Sequence, residues 1–303
     1  MKSMATDTFL ATAGMFDGVH RGHRYALQAL GREAEARGMR PVVFTFTQHP
    51  LSVTAPERAP RLLTTCAQRV QLIRSVLPEA EVVALNPADG ILGLTSREFL
   101  ESIKEKYKVG AFAMGFNNHI GCDRATAASL ADAPLPIVLF EELPDQGISS
   151  SAIRKAISES RFDDAERALG HTWQYCGTVV RGKQLGRTIG FPTANIEALE
   201  PMQLLPPLGV YAVDVSTADG ATHRGMANIG RRPTVDGSDA PISFEVHLLD
   251  ANDDLYGQTL CVRFLTRLRD EKRFDSLEAL RRQLDADAEA ARTFISSTSS
   301  SEL

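Results

Sequence analysis

One change of rhythm constrains this chain more than any other feature. Up to about Gly170, apolar strand-like runs alternate with helical ones. FLATAGMF (9–16), PVVFTF (41–46), EVVAL (81–85), VGAFAMG (109–115) and PIVLF (136–140) read as strands. HRYALQALGREAEARG (23–38), CAQRVQLIRSVL (66–77), TSREFLESIKEKY (95–107) and the short ATAASLADA (125–133) read as helices. Strands separated by helices of this length build βαβ units and a parallel sheet. Two consecutive helices follow, over 149–158 and 162–169. The pattern then changes. YCGTVVRG, GVYAVDVST, ATHRGMANIG, ISFEVHLLD and QTLCVRFLTRL are five strand-like runs divided by Gly, Pro and Asp turns, and they predict an antiparallel barrel or sandwich. A helix is expected over 276–294. The expectation is therefore an α/β domain at 1–172, a β domain at 173–295 and a disordered tail at 296–303.

The chain has 303 residues, enough for one large domain or two ordinary ones with sizeable cores. A net charge of −5 and a pI near 5.8 speak against nucleic acid or an anionic membrane as the main partner. No apolar run reaches the length of a membrane span, and MKSMATDTFLATAG is too short and polar for a signal peptide. Cys66, Cys122, Cys176 and Cys261 are scattered, with no CxxC spacing. That usage predicts reduced structural thiols and a cytoplasmic location.

Chemistry first surfaces at GMFDGVHRGH (14–23). A strand, a glycine-rich turn and a helix start form the usual layout for phosphate binding, because the helix end presents free N–H groups. Neither GxGxxG nor GxxxxGK[ST] is present. HxGH stands there instead, so that His20 and His23 could donate to phosphate oxygens as their charge grows. A bare HxxH is as easily two surface histidines; its place after the first strand, beside Gly18 and Gly22, favours function. Asp17 reads as a turn residue or as a group that orients the loop. Late in the same half, GISSSAIRKAI (147–157) sets three serines at a helix start with Arg154 one turn in. Ser149 or Ser150 could serve as N-cap. A cap explains one serine, not three and an arginine.

In the second half, GRTIGFPTANI (186–196) follows RGKQL. It reads either as a turn entering a strand or as a nucleotide site. In the second reading Gly182, Gly186 and Gly190 free the backbone around phosphates, and Thr193 and Asn195 offer hard oxygen ligands to a metal. In ISFEVHLLD, Glu245 and His247 share the face opposite Phe244, Val246 and Leu248. Glu245 is thus a solvent-facing strand residue or a base. RDEKRF (269–274) is a charged loop before the last helix.

HxGH early and ISSxxIR late form the constellation of nucleotidyltransferases. With FTQHP (46–50) and GFNNHIG (115–121), the first half resembles the adenylyltransferase part of the prokaryotic bifunctional riboflavin kinase/FMN adenylyltransferase family, the FAD synthetases. GFPTAN, GVYAV, NIGRRPTV (228–235), FEVHLLD, DLYG (254–257) and RDEKRF resemble its kinase motifs in order, so the resemblance covers nearly the whole chain. It implies a Rossmann-like HxGH domain with a parallel sheet, then a small six-stranded antiparallel riboflavin-kinase barrel with a C-terminal helix. Riboflavin, FMN and ATP are the implied substrates, with Mg²⁺ as cofactor and a monomer or weak oligomer as the working form. By the resemblance, Glu245 takes the proton of the riboflavin 5′-hydroxyl, and Thr193 and Asn195 hold the metal. Arg269 and Glu271 close over the flavin. Gly14, Phe16, His20, Gly22, His23, Asn117, Ser149, Ser150 and Arg154 hold the ATP that adenylylates FMN. FTQHP departs from the family's FDPHP at Thr47 and Gln48, and NNHIG departs at His119 and Ile120. A kinase with a degenerate first half, or a flavin-binding regulator without turnover, are the rival readings.

Overall fold

The computed structural model describes residues 8–115, 118–140, 147–182, 185–231, 241–249, 251 and 254–299. The chain divides into two compact units, Met1–Ser150 and Ser151–Leu303.

In the first unit, β1 (Phe9–Ala13), β2 (Arg40–Phe46), β3 (Glu81–Leu85), β4 (Val109–Gly115) and β5 (Ile137–Phe140) form one sheet in the order β3-β2-β1-β4-β5. All four pairings are parallel. The helices between them are α1 (Arg21–Ala36), the one-turn α2 (Leu51–Thr54), α3 (Cys66–Val76) and α4 (Ser96–Tyr107). Side chains alternate across a strand, so the central strands bury both faces. Leu10, Val43 and Ala111 pack with Leu27 and Leu30 of α1 and Ile73 of α3 on one face. Ala11, Phe44 and Phe112 pack with Phe99, Leu100 and Ile103 of α4 on the other. Thr95 and Glu98 close a capping box at the start of α4, as their spacing predicts. The run 125–133 contributes only a short 3₁₀ turn, Ala127–Leu130.

Strand order reverses on either side of β1. In parallel sheets, ligands bind beyond the carboxyl ends of the strands at such a switch point. The 14–20 loop follows β1, and residues 118–121 come after β4, its neighbour across that point.

In the second unit, α5 (Ser150–Ser158) and α6 (Phe162–Leu169) precede a closed barrel. Its strands are β6 (Tyr175–Val180), β7 (Ala194–Ala198), β8 (Gly209–Ser216), β9 (Thr222–Arg231), β10 (Ile242–Leu248) and β11 (Thr259–Arg269), ordered β10-β7-β6-β11-β8-β9. Closure removes the exposed sheet edges. Tyr175, Phe244 and Phe264 meet in ring contacts 5.2 and 5.8 Å apart. α6 packs on β11: Phe162 stacks on Phe264, and Glu166 takes a two-point ion pair from Arg263. The one-turn α7 (Leu185–Thr188) lies between β6 and β7. The last helix, α8 (Leu277–Ser299), packs across β8 and β9.

Three further points differ from the reading of the bare sequence. β7 is a sixth strand that periodicity does not mark; it lies inside the FPTANIEA segment. α8 runs to Ser299, into the stretch expected as a disordered tail, because no Gly or Pro interrupts residues 277–299. Cys176 and Cys261 form a disulfide rather than standing as reduced thiols. They are 85 residues apart but face each other directly in the β6–β11 pair, with Cα atoms 4.1 Å apart. Sequence spacing carries no trace of that register. Cys66 and Cys122 are free thiols.

Candidate active sites

The 14–20 loop is held in an unusual backbone path. Phe16, Gly18 and Val19 all take positive φ, at 50°, 79° and 39°. Only glycine adopts that region without cost; the other two are disfavoured by roughly 1–3 kcal/mol each. Such geometry persists only where the surroundings over-determine it. Asp17 contributes to that. Its buried carboxylate accepts from the N–H of Leu63 (3.0 Å) and from the N–H and hydroxyl of Thr64 (both 3.2 Å). Asp17 is therefore an organiser of the loop.

The loop ends in His20, which is buried and caps α1. Its Nδ1 accepts the backbone N–H of His23 at 3.4 Å. An accepting Nδ1 assigns the ring proton to Nε2, which is then a donor. Gly22 makes room for this cap: a Cβ there would lie 3.2 Å from the His20 ring. The two imidazoles stack with centroids 3.6 Å apart, and Phe16 meets His23 edge-on at 5.3 Å. Burial holds His23 well below the usual histidine range, with help from His20 and from the Arg69 guanidinium. Its buried Nδ1 has no hydrogen-bond partner among the described residues. His23 thus presents a neutral imidazole, stacked on His20, at the positive end of a helix, a site suited to an incoming anion.

Ser150 reaches the same loop. Its hydroxyl donates to the Asp17 carbonyl at 2.9 Å, across 133 residues. Ser149 is exposed beside it. Arg154 is half-buried on α5, in the second unit. Gly14 lies against the Phe16 ring, 3.2 Å from where its Cβ would be. Asn117 falls outside the described residues. Of the two departing motifs, Ile120 is explained: it is buried with Phe112 and Met114. Sequence reading missed Arg69, Thr45 and Thr64, all buried beneath the loop. The one available signal was an arginine four residues before Ile73, on the buried stripe of α3.

The second cluster lies wholly in the barrel unit. Thr193 Oγ1 donates to Glu245 Oε2 at 3.0 Å. In register, Glu245 stands between Asn195 on β7 and Asn228 on β9. Asn228 is the residue sequence reading passed over; alternation along MANIG puts it on the same face as Glu245. The glycines are space-makers here. A Cβ on Gly182 would fall 2.2 Å from the Asn195 amide, and one on Gly186 would fall 2.2 Å from the Phe191 carbonyl. Gly190 has φ 89°. His247 Nδ1 bonds the Pro192 carbonyl at 2.7 Å; burial lowers its pKa, the carbonyl opposes that, and Arg292 adds to it. His247 thus secures the FPT turn.

These groups line a cavity of about 590 Å³ that α8 helps to wall, through Leu280 and Leu284. Apolar walls with a few convergent polar groups suit an aromatic ligand with a polar tail. Arg269 and Glu271 also line it, and both are already engaged. Arg269 makes a two-point ion pair with Asp287 of α8 (2.9 and 2.7 Å), which Gln283 supports. Glu271 accepts the Arg231 N–H at 3.1 Å. They tie the 269–274 segment to α8 and to the end of β9 along the cavity wall.

Comparison with known proteins gives two family matches. Residues 2–146 match the FAD synthetase family, and residues 169–295 match the riboflavin kinase family. The bifunctional riboflavin kinase/FMN adenylyltransferase of Pseudomonas fluorescens is 37% identical, over 93% of this chain and 92% of its own. That of Escherichia coli K12 is 36% identical over 95% and 93%, and that of Bacillus subtilis 30% over 93% and 91%. A crystal structure from Streptococcus pneumoniae, described as a macrolide-efflux protein, superposes with a TM-score of 0.79. It is 33% identical and covers 96% of both chains. Among the described residues of this chain, no helix is long and apolar enough to cross a membrane.

Proposed function

The chain belongs to the bifunctional riboflavin kinase/FMN adenylyltransferase family, and from that premise we propose which residues perform each half of its chemistry. It phosphorylates riboflavin to FMN with ATP, and it adenylylates FMN with ATP to give FAD. Residues 173–295 carry the first activity and residues 1–172 the second.

In the kinase, Glu245 takes the proton of the riboflavin 5′-hydroxyl as oxygen attacks the γ-phosphorus of ATP. The Thr193 hydroxyl on Oε2 leaves the other carboxylate oxygen for the substrate. Asn195 and Asn228 fix the strand positions on either side. Glycines 182, 186 and 190 let the backbone approach the phosphates. Arg269 and Glu271 hold the wall that closes over the flavin rings. Catalysis here is mainly positioning and charge stabilisation.

The donor set fits Mg²⁺. Thr193 and Asn195 supply hard oxygens beside one carboxylate, a sparse set suited to an ion that keeps waters and shares nucleotide phosphates. When bound there, Mg²⁺ would neutralise phosphate charge.

In the adenylyltransferase, the FMN phosphate is already an anion, so no strong base is required. It attacks the α-phosphorus, and pyrophosphate leaves. His20 and His23, with the α1 N–H groups, meet the charge that grows on the leaving group. Ser149, Ser150 and Arg154 contribute to the triphosphate clamp, and Asn117 to the nucleotide or flavin contact. A cytoplasmic location follows from the family and not from the cysteines, two of which are paired; a monomer or weak oligomer suits a kinase site whose residues come from one unit of one chain.

The observation that carries this assignment is the Thr193–Glu245 bond between two of the kinase motifs, 52 residues apart. The test separates flavins by chromatography after incubation with riboflavin, ATP and Mg²⁺, beside a reaction started from FMN. FAD in both supports the full reading. FMN without FAD, repeated with reduced flavin, would restrict the chain to the kinase.

A further inference from the structure

The adenylyltransferase loop rests on a buried cation that the reaction itself does not use. Arg69 is completely buried, on α3. Its Nε donates to Thr45 Oγ1 at 3.1 Å, its Nη1 to the Thr64 carbonyl at 3.4 Å, and its Nη2 to the Phe46 carbonyl. Each partner passes the constraint on. The Thr45 hydroxyl donates to the Met15 carbonyl at 3.0 Å. Thr64 gives its N–H and hydroxyl to Asp17, and its Oγ1 accepts the Gly18 N–H at 3.2 Å. Two separate routes therefore run from one guanidinium to the strained 14–18 segment. The third bond pins the end of β2.

We propose that Arg69 is a positioning residue for adenylyl transfer: it fixes the loop that sets His20 and His23, acting through Thr45 and Thr64. This rests on the reading of HxGH as the triphosphate site. A planar fork meets three acceptors in fixed directions; a lysine ammonium keeps the charge but loses that geometry. The loop leads directly into the histidine cap. A shift there moves both imidazoles against the reacting phosphate. The groups that act on the charge of His23 are His20, from the loop, and Arg69, from α3. Arg69 thus has an electrostatic role as well as a mechanical one.

Three variants of the full chain separate these roles: R69K, R69M and T45V. FAD formation from FMN is followed against pH, with FMN formation from riboflavin in the same samples and the folded fraction measured by thermal melting. In R69K, kcat for FAD formation is expected to fall about 10²-fold per folded molecule, the loss typical of misplacement by about an ångström. KM for ATP and the kinase rate should stay within about threefold. T45V, which removes only a hydroxyl, should move the same way by a smaller factor. In R69M the His23-dependent limb of the pH profile should move to higher pH, because the cation that lowers its pKa is gone; in R69K it should stay. Wild-type kcat in R69K and T45V would overturn the proposal, as would losses that only track the folded fraction with unmoved pH limbs. Should R69M not fold, T45V still decides. Failure of the wild type to make FAD would instead sink the functional reading, so the two failures are distinguishable.

Discussion

Nδ1 of His20 accepts the backbone N–H of His23, and the two rings stack 3.6 Å apart at the first turn of α1. One imidazole is thereby fixed as a cap and as an Nε2–H donor, and it holds the other in place. Replacing His23 by Ala should lower FAD formation from FMN roughly 10²–10³-fold, the usual loss for one preorganised donor. Riboflavin should still be converted, and FMN should accumulate. Flavin chromatography of the variant checks this; undiminished FAD would remove His23 from the site.

The same pair predicts a stability profile. Burial lowers the folded-state pKa of His23, with His20 and Arg69 adding to it. The unfolded chain therefore binds a proton first as pH falls through the ordinary histidine value near 6.5. Stability from this residue is full above that value and is lost on acidification towards the folded pKa. Melting of the first unit should fall between pH 7 and 5. His23→Gln should flatten that dependence. Equal slopes in variant and wild type would contradict the assignment.

In the barrel, Glu245→Gln should reduce FMN formation by roughly 10²–10⁴, because the general base is lost while the fold is kept. FAD formation from added FMN should be unchanged. A parallel loss of both would point to a folding defect rather than to a missing base.

Gly182→Ala should disturb the kinase without touching any reacting group. The new methyl would fall 2.2 Å from the Asn195 amide. Overpacking of this kind costs about 1–3 kcal/mol. A raised KM for ATP and a lowered melting point of the barrel unit are the expected readouts. An unchanged KM would mean that Asn195 lies outside the nucleotide site.

Two long-range ties should govern the barrel's stability. Asp287→Ala leaves the Arg269 guanidinium without its buried ion-pair partner and should cost about 3–5 kcal/mol. It should also weaken riboflavin binding through a looser α8. Reduction of Cys176–Cys261 opens a tie spanning 85 residues, worth about 4.6 kcal/mol by chain entropy. A reductant should lower the barrel's melting temperature, and the Cys176→Ser variant should melt at the same temperature with and without it.

Both halves of this protein were legible because their signals are local. Helix and strand periods, the Thr95–Glu98 cap, HxGH at the start of α1 and Glu245 on a polar strand face all lie within a few residues of chain. Local order of this kind determined the parallel-sheet half, left the second half as an antiparallel barrel or sandwich, and marked most of the candidate residues. Tertiary structure decided what depends on residues far apart. β7 has little apolar alternation of its own and is a strand because β6 and β10 pair with it. Cys176 meets Cys261 through the β6–β11 register alone. Arg269, expected at the flavin, is occupied by Asp287 once α8 folds back. Arg69 looks like a surface charge in a helical run, and only the packing of α3 under the 14–18 loop buries it and aims it at three acceptors. Periodicity records which side of an element faces inward; it does not record what that side meets, because register and packing are settled between elements.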